Sequence, residues 1–178
     1  MRRLNIILIA GMFLTFLLHG ITGALTISGG NSDVNKIVAW ICVFFVALHV
    51  IVTTILTVKT LHAIHKTKAG YFKNNIMFWI RRISGFTILI PLLMHLFIFN
   101  VPPTDIYRLK AFDTGRFISQ LLMVLTISLH VLTNIKPFML AIGAKNYKKI
   151  IINTLFVLAI LFLLFAVAFC IYYLRWNT

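Results

Sequence analysis

Residues 79–99 read WIRRISGFTILIPLLMHLFIF. The stretch opens on a paired arginine, Arg81 and Arg82, passes a Ser84-Gly85 step, and then runs through mostly apolar side chains to Phe99 with one histidine, His95, inside it. Its length is close to the roughly 20 residues a helix needs to cross about 30 Å of hydrocarbon. An imidazole in the middle of such a run is costly without a partner, so His95 reads as a functional position.

The rest of the chain has the same character. Hydrophobic residues make up 61% of its 178 positions and the mean hydropathy is +0.99, more than a soluble domain of this length hides in one core. The expectation is an all-α, polytopic membrane protein. Five apolar runs can be drawn: Leu4 to Ile27, Ile37 to Val58, Met77 to Val101, Phe117 to Ile142 and Ile150 to Leu174. Lipid leaves only helices or a closed barrel to satisfy the backbone, and the alternating pattern of a barrel is absent. No phosphate loop, nucleotide fingerprint, internal repeat or Pro- or Ser-rich linker divides the chain, so residues 1–178 are expected to form a single transmembrane domain.

The formal charge of +14 would point to nucleic acid in a soluble chain. Here the basic residues sit in short clusters between apolar runs, read as topology signals, and no nucleic-acid partner is expected. Lys59, Lys66, Lys68, Lys73, Arg81 and Arg82 occupy one connection without an acid, and Lys136, Lys145, Lys148 and Lys149 surround another. All three acidic residues, Asp33, Asp105 and Asp113, fall in the other two loops. The excess of positive charge places the N-terminus in the cytoplasm and the C-terminus outside. His62 and His65, in the basic segment with Tyr71 and Phe72, read as a solvated helix end or as a docking surface for a soluble partner. Cys42 and Cys170 lie inside apolar runs and read as small buried hydrophobes. No Cys-x-x-Cys-His occurs, which excludes covalent c-type haem attachment.

His19, His49, His95 and His130 fall one per run on the first four runs. At about 1.5 Å per residue, His19, eight residues from Ile27, and His95, six from Val101, lie roughly 10 Å below the outer surface. His49, thirteen residues past Lys36, and His130, thirteen past Phe117, lie roughly 20 Å down. The four therefore sort by depth into the pairs His19/His95 and His49/His130, each joining alternate helices as opposite corners of a four-helix bundle would. Two imidazoles facing each other at one level are what bis-histidine ligation of a haem iron requires. A zinc site wants four close ligands, which the difference in depth opposes. The expected cofactors are two b haems, with the four histidines as axial ligands.

Gly11, Thr15, His19 and Gly23 recur every four residues on one helix face and leave room for a flat macrocycle. Ser84 lies about three turns before His95. Thr53 and Thr57 extend the face of His49, and Thr126 and Asn134 flank His130 by one turn each, either able to hydrogen-bond across the bundle. Arg81 and Arg82 at the cytoplasmic mouth read as topology signals snorkelling at a helix end, or as a pair of which one meets haem propionates. The fifth run carries no histidine or charge between Ile150 and Leu174 and reads as a packing helix.

With single histidines on the first four of five helices, the N-terminus inside, and the segment RRISGFTILIPLLMHL, the chain resembles the dihaem cytochrome b membrane subunit of succinate:quinone oxidoreductases and fumarate reductases. The motif-level resemblance rests on Arg81, Ser84, Gly85, His95 and the spacing of the other three histidines. It implies a flavin-free subunit in a bacterial inner membrane. Such a subunit anchors flavoprotein and iron–sulfur subunits on the cytoplasmic side and carries electrons between them and a membrane quinone. His49 and His130 would hold the proximal haem, and His19 and His95 the distal one. Some members carry a glutamate just before the fourth ligand; this chain has Ser128 there and no glutamate at all. Asp33, Asn31 and Trp40 near the outer end of the second run are candidates for the quinone, with Arg116 or Asp113 from the opposite loop. Alternatives are a stand-alone protein resembling cytochrome b561, which also pairs histidines between helices, and a haem-free transporter or structural subunit.

The first run follows Arg2 and Arg3 and ends near the small residues Gly23 and Ala24, as a secretory signal would. Signal h-regions span about 7 to 15 residues, whereas this run continues to Ile27, so it is expected to remain as a span. Intact mass of the purified protein checks this: retention is the expected result, and loss of about two dozen N-terminal residues would overturn it.

Overall fold

The computed structural model describes residues 2–29, 34–67, 75–100 and 111–178, and the described residues are helical with short connections and no strand. Among the described residues six helical segments follow one another: α1 Arg2–Ile27, α2 Val34–Thr67, α3 Ile76–Thr87, α4 Leu89–Phe99, α5 Thr114–Ala141 and α6 Tyr147–Asn177. Five stretches are long and apolar enough to cross a membrane: Arg3–Ile27, Asn35–Lys66, Ile76–Phe99, Thr114–Ala141 and Lys148–Asn177. Asn31, Asp33, Lys68, Tyr71, Phe72, Lys73, Val101 and Asp105, all named above, lie outside the described residues. The chain forms two compact units, one of Met1–Thr26 with Asn31–Ile76, the other of Ile27–Gly30 with Met77–Thr178.

In the first unit α2 runs well past the apolar run predicted for it. The helix continues nine residues beyond Val58 to Thr67, adding about 14 Å at 1.5 Å per residue. Lys59, His62, His65 and Lys66 on this extension are all exposed. The apolar run ends where hydrocarbon would end, but the backbone has no reason to stop: Leu61, Ala63 and Ile64 remain good or neutral helix residues, and neither Gly nor Pro intervenes before Thr67.

In the second unit the third span is divided at Ile88. Pro91 has no N–H to give the Thr87 carbonyl, so the ladder loses one bond there. Ile88 nonetheless keeps right-handed helical angles, φ −59° and ψ −31°, and Ile88 N–H still donates to the Ser84 carbonyl at 3.2 Å. The helix is interrupted rather than ended. α5 starts at Thr114, three residues before the apolar run, because Asp113 caps it. Its carboxylate accepts from Arg116 N–H at 2.9 Å, the usual N-cap arrangement, and meets Arg116 Nε at 3.5 Å.

The core of this unit lies along α6. Leu158, Phe162, Phe165, Phe169 and Tyr172 are all buried and alternate by four and three residues, the seam that knobs-into-holes packing uses. At one end of the seam the rings of Phe99, Phe112, Phe169 and Tyr172 meet, with Phe112 and Tyr172 edge to face at 4.9 Å. The opposite side of α6 is equally apolar but exposed: Phe156 is 68% accessible and Leu163 64%. A helix apolar all round is a buried or membrane-embedded one, and its seam is the side that packs within this unit. Arg175 closes the same end, its Nη1 donating to the Ile27 carbonyl at 2.9 Å. Gly29 beside it has φ +111°, the positive-φ backbone that favours glycine just after a helix end.

Phe112 is fully buried whereas Phe156 is not. Phe112→Ala should therefore lower the thermal midpoint in detergent by the equivalent of about 3 kcal/mol, while Phe156→Ala should leave it within error.

Candidate functional site

Polar side chains inside apolar helices must find partners within the protein, since hydrocarbon offers none. The residues around His19, His95 and His130 follow from that requirement. In the first unit His19 Nδ1 lies 2.8 Å from Oδ1 of Asn35 on α2, and Thr22 Oγ1 lies 3.0 Å from the same oxygen. A Cβ added at Gly23 would sit 3.7 Å from Asn35 and 3.9 Å from the His19 ring, ordinary contact distances. Gly11 is different: a Cβ there would meet the Phe45 ring of α2 at 2.7 Å. The room expected on this face of α1 is, at Gly11, taken by that aromatic ring. Thr15 spends its hydroxyl on its own helix, at 2.9 Å from the Gly11 carbonyl.

His49 is half-buried on α2. Thr53 donates to its carbonyl at 2.7 Å and Thr57 to the Thr53 carbonyl at 2.6 Å. Both threonines thus satisfy their hydroxyls on backbone one turn back, the usual solution for a threonine inside an apolar helix. Trp40, expected near a quinone, is 51% exposed; its suggested companions Asp33 and Asn31 lie outside the described residues.

In the second unit His95 on α4 is 2.7 Å from Oε1 of Gln120 on α5. Gln120 is fully buried. Its Nε2 donates to Ser119 Oγ at 3.0 Å, and Ser119 Oγ–H donates to the Arg116 carbonyl at 2.7 Å. The His95 ring is also tilted against Phe99, with centroids 4.9 Å apart. Left unsatisfied, a buried amide of this kind would cost about 1–3 kcal/mol.

His130 on α5 is 3.1 Å through Nδ1 from Ser84 Oγ on α3, and Ser84 Oγ–H is 3.3 Å from the Arg81 carbonyl. Ser84, about three turns before His95 on its own span, is the partner of His130. Gly85 makes the approach of that ring possible, since a Cβ there would lie 3.0 Å from His130 Cε1. Thr126 and Asn134, able by position to bond across the bundle, turn back on their own helix: Thr126 donates to the Leu122 carbonyl at 2.9 Å and Asn134 to the His130 carbonyl at 2.7 Å. A short polar side chain inside a helix has a backbone carbonyl within reach one turn back, and that partner is nearer than one on another helix.

Arg81 Nε donates to the Met77 carbonyl at 2.9 Å, and the Arg82 guanidinium lies over the Phe78 ring, 5.0 Å from its centroid. Asp113 and Arg116, the other quinone candidates, form the cap of α5 described above. A groove of about 230 Å³ lined by Met94, Phe97, Ile98 and Arg116 lies beside them.

The histidines themselves were legible in the sequence, but Asn35 and Gln120 were not singled out. The available signal was an amide at the margin of, or within, an apolar run. Gln120 is the one glutamine in the chain, and such a residue needs a reason as much as a histidine does. A metal-binding imidazole almost always donates its second ring N–H to an oxygen, which fixes the ring and its tautomer. His19, His95 and His130 each have a side-chain oxygen from a neighbouring helix at Nδ1, so their surroundings fit axial ligation through Nε2. Among the described residues no group of three or more His, Cys, Asp or Glu comes together; a bis-histidine site needs only two.

Neither a family model, nor a curated protein, nor a solved structure matches the chain. Its described residues define it as an all-helical protein, with five helices among them long and apolar enough to span a membrane.

Gly85→Ala should press on the His130 ring and destabilise the protein by about 1–3 kcal/mol, read as a lower thermal midpoint in detergent. Gly23→Ala, with ordinary contact distances and better helix propensity, should leave the midpoint unchanged or raise it.

Proposed function

We propose that this chain is the membrane anchor and electron-transfer subunit of an oxidoreductase complex, carrying two bis-histidine b haems between a quinone pool and a cytoplasmic flavin and iron–sulfur enzyme such as a fumarate reductase or succinate dehydrogenase. The observation that carries the reading is the environment shared by three of the four histidines. His19, His95 and His130 each engage Nδ1 with a side-chain oxygen, at 2.8, 2.7 and 3.1 Å. A ring that donates through Nδ1 carries its lone pair on Nε2, the nitrogen that binds iron. Histidines kept only for packing have no need to present the same nitrogen on different helices.

In this reading His19 and His95 hold one haem and His49 and His130 the other, paired by their depth along the apolar runs. When bound, a bis-histidine b haem supplies a one-electron carrier whose potential is set by its axial ligands, their hydrogen bonds and burial. This chain's residues do the rest. Ser84 and Asn35 orient their rings, Gly85 admits the His130 ring, and the apolar spans keep water away. One of Arg81 and Arg82, at the basic end of the third span, would hold the haem carboxylates as guanidinium groups hold carboxylates elsewhere. The exposed Lys59, His62, His65 and Lys66 on the extension of α2 offer a positive surface to the soluble subunits. The orientation implied is cytoplasmic N-terminus and external C-terminus, in a bacterial inner membrane.

The test is purification in detergent from haem-replete cells. A reduced-minus-oxidised spectrum of b type with about two haems per chain is expected. His95→Ala and His49→Ala should each remove a different haem, and flavin and iron–sulfur subunits should accompany the chain through a mild purification. A colourless preparation would overturn the proposal.

A further inference from the structure

The three contacts that run from His95 into α5 have a direction. A backbone carbonyl can only accept, so the 2.7 Å contact between Ser119 Oγ and the Arg116 carbonyl is donated by the serine. The serine oxygen is then the acceptor for the Gln120 amide N–H at 3.0 Å. That sets the Gln120 side chain with its NH2 toward Ser119 and its carbonyl oxygen toward His95. The oxygen can only accept, so the 2.7 Å contact to His95 Nδ1 is donated by the ring. In this arrangement every donor of the series faces an acceptor, and no single member can reverse its role by itself without setting a donor against a donor or an acceptor against an acceptor. The full burial of Gln120 keeps water from supplying an alternative.

We infer that Gln120 is a positioning residue for His95: anchored by Ser119, it locks the imidazole as the Nδ1–H tautomer, presents Nε2 as the metal-binding nitrogen, and sets the electron density that this nitrogen delivers. The inference rests on the haem reading above and goes beyond it, because it assigns to one glutamine the tuning of the outer haem. A ring whose N–H donates to a strong acceptor gains imidazolate character and favours ferric iron over ferrous. Removing the acceptor removes that preference, and loss of a hydrogen-bond partner of a metal ligand typically costs 10- to 100-fold in affinity.

The measurement is a potentiometric titration of the full chain in detergent, with the outer haem identified as the one missing from His95→Ala. Gln120→Leu fills a similar volume without an acceptor. It should raise the ferrous-to-ferric ratio of the outer haem about tenfold at fixed potential, an upward shift of about 59 mV for one electron, or lose that haem alone. The inner haem should stay at its wild-type potential. Gln120→Glu keeps an oxygen facing Nδ1 whether or not it is ionised, so the outer haem should be retained at or below the wild-type potential. A role in packing alone predicts the opposite ranking of these two variants. Should Gln120→Leu yield no haem at all, Ser119→Ala decides, because it releases the amide to rotate and should move the outer potential in the same direction. Wild-type protein with two haems and variants whose outer potential and occupancy are unchanged, or whose two haems shift alike, would overturn the role of Gln120 while leaving the haem reading standing. Wild-type protein without haem would overturn both.

Discussion

A polar ring nitrogen inside an apolar helix has to be satisfied by the protein, because neither lipid nor a dry interior can do it. Much of the local design follows from that constraint. Asn35 stands opposite His19, Gln120 opposite His95 and Ser84 opposite His130, and glycine occurs where the His130 ring comes closest to another helix. The same rule governs the threonines, serines and Asn134, which bond to carbonyls three or four residues back on their own helix. Two kinds of polar residue thus occupy the spans, those that close on themselves and those that link one helix to the next.

The linking contacts share a form. From His95 and from His130 an imidazole meets a side-chain oxygen, and in each case a serine ends the series on the carbonyl three residues before it, Ser119 on Arg116 and Ser84 on Arg81. Ending on a backbone carbonyl gives such a series its direction, since that group has no proton to give. The difference lies in the acceptor that touches the ring: an amide oxygen at 2.7 Å for His95 and a hydroxyl at 3.1 Å for His130. The amide is the stronger acceptor, and the proposed tuning of the outer haem by Gln120 draws on that difference.

The packing of the second unit supplies the rigidity those contacts need. The buried seam of α6 and the rings of Phe99, Phe112, Phe169 and Tyr172 hold one end together, while Asp113 fixes where α5 begins. Tight, directional contacts between helices are only as precise as the elements that carry them. His95 lies on its span between Phe99, a member of this aromatic group, and the interruption at Ile88.

The sequence by itself determined five apolar helices, one histidine on each of the first four, and how far along its run each histidine lies. These depend on local composition and on a fixed rise per residue. Tertiary structure decided which oxygen each imidazole meets, because the partners lie 16, 25 and 46 residues away on other helices and no periodicity connects them. It also decided that Ser84 meets the His130 ring, that Phe45 fills the space beside Gly11, and that α2 continues to Thr67. Hydropathy registers where a chain would leave hydrocarbon, not where its backbone ceases to be helical or which face of an all-apolar helix meets a neighbour. The stretch at residues 79–99 holds both kinds of information: its histidine was visible at once, and the glutamine that orients it was visible only when the helices were brought together.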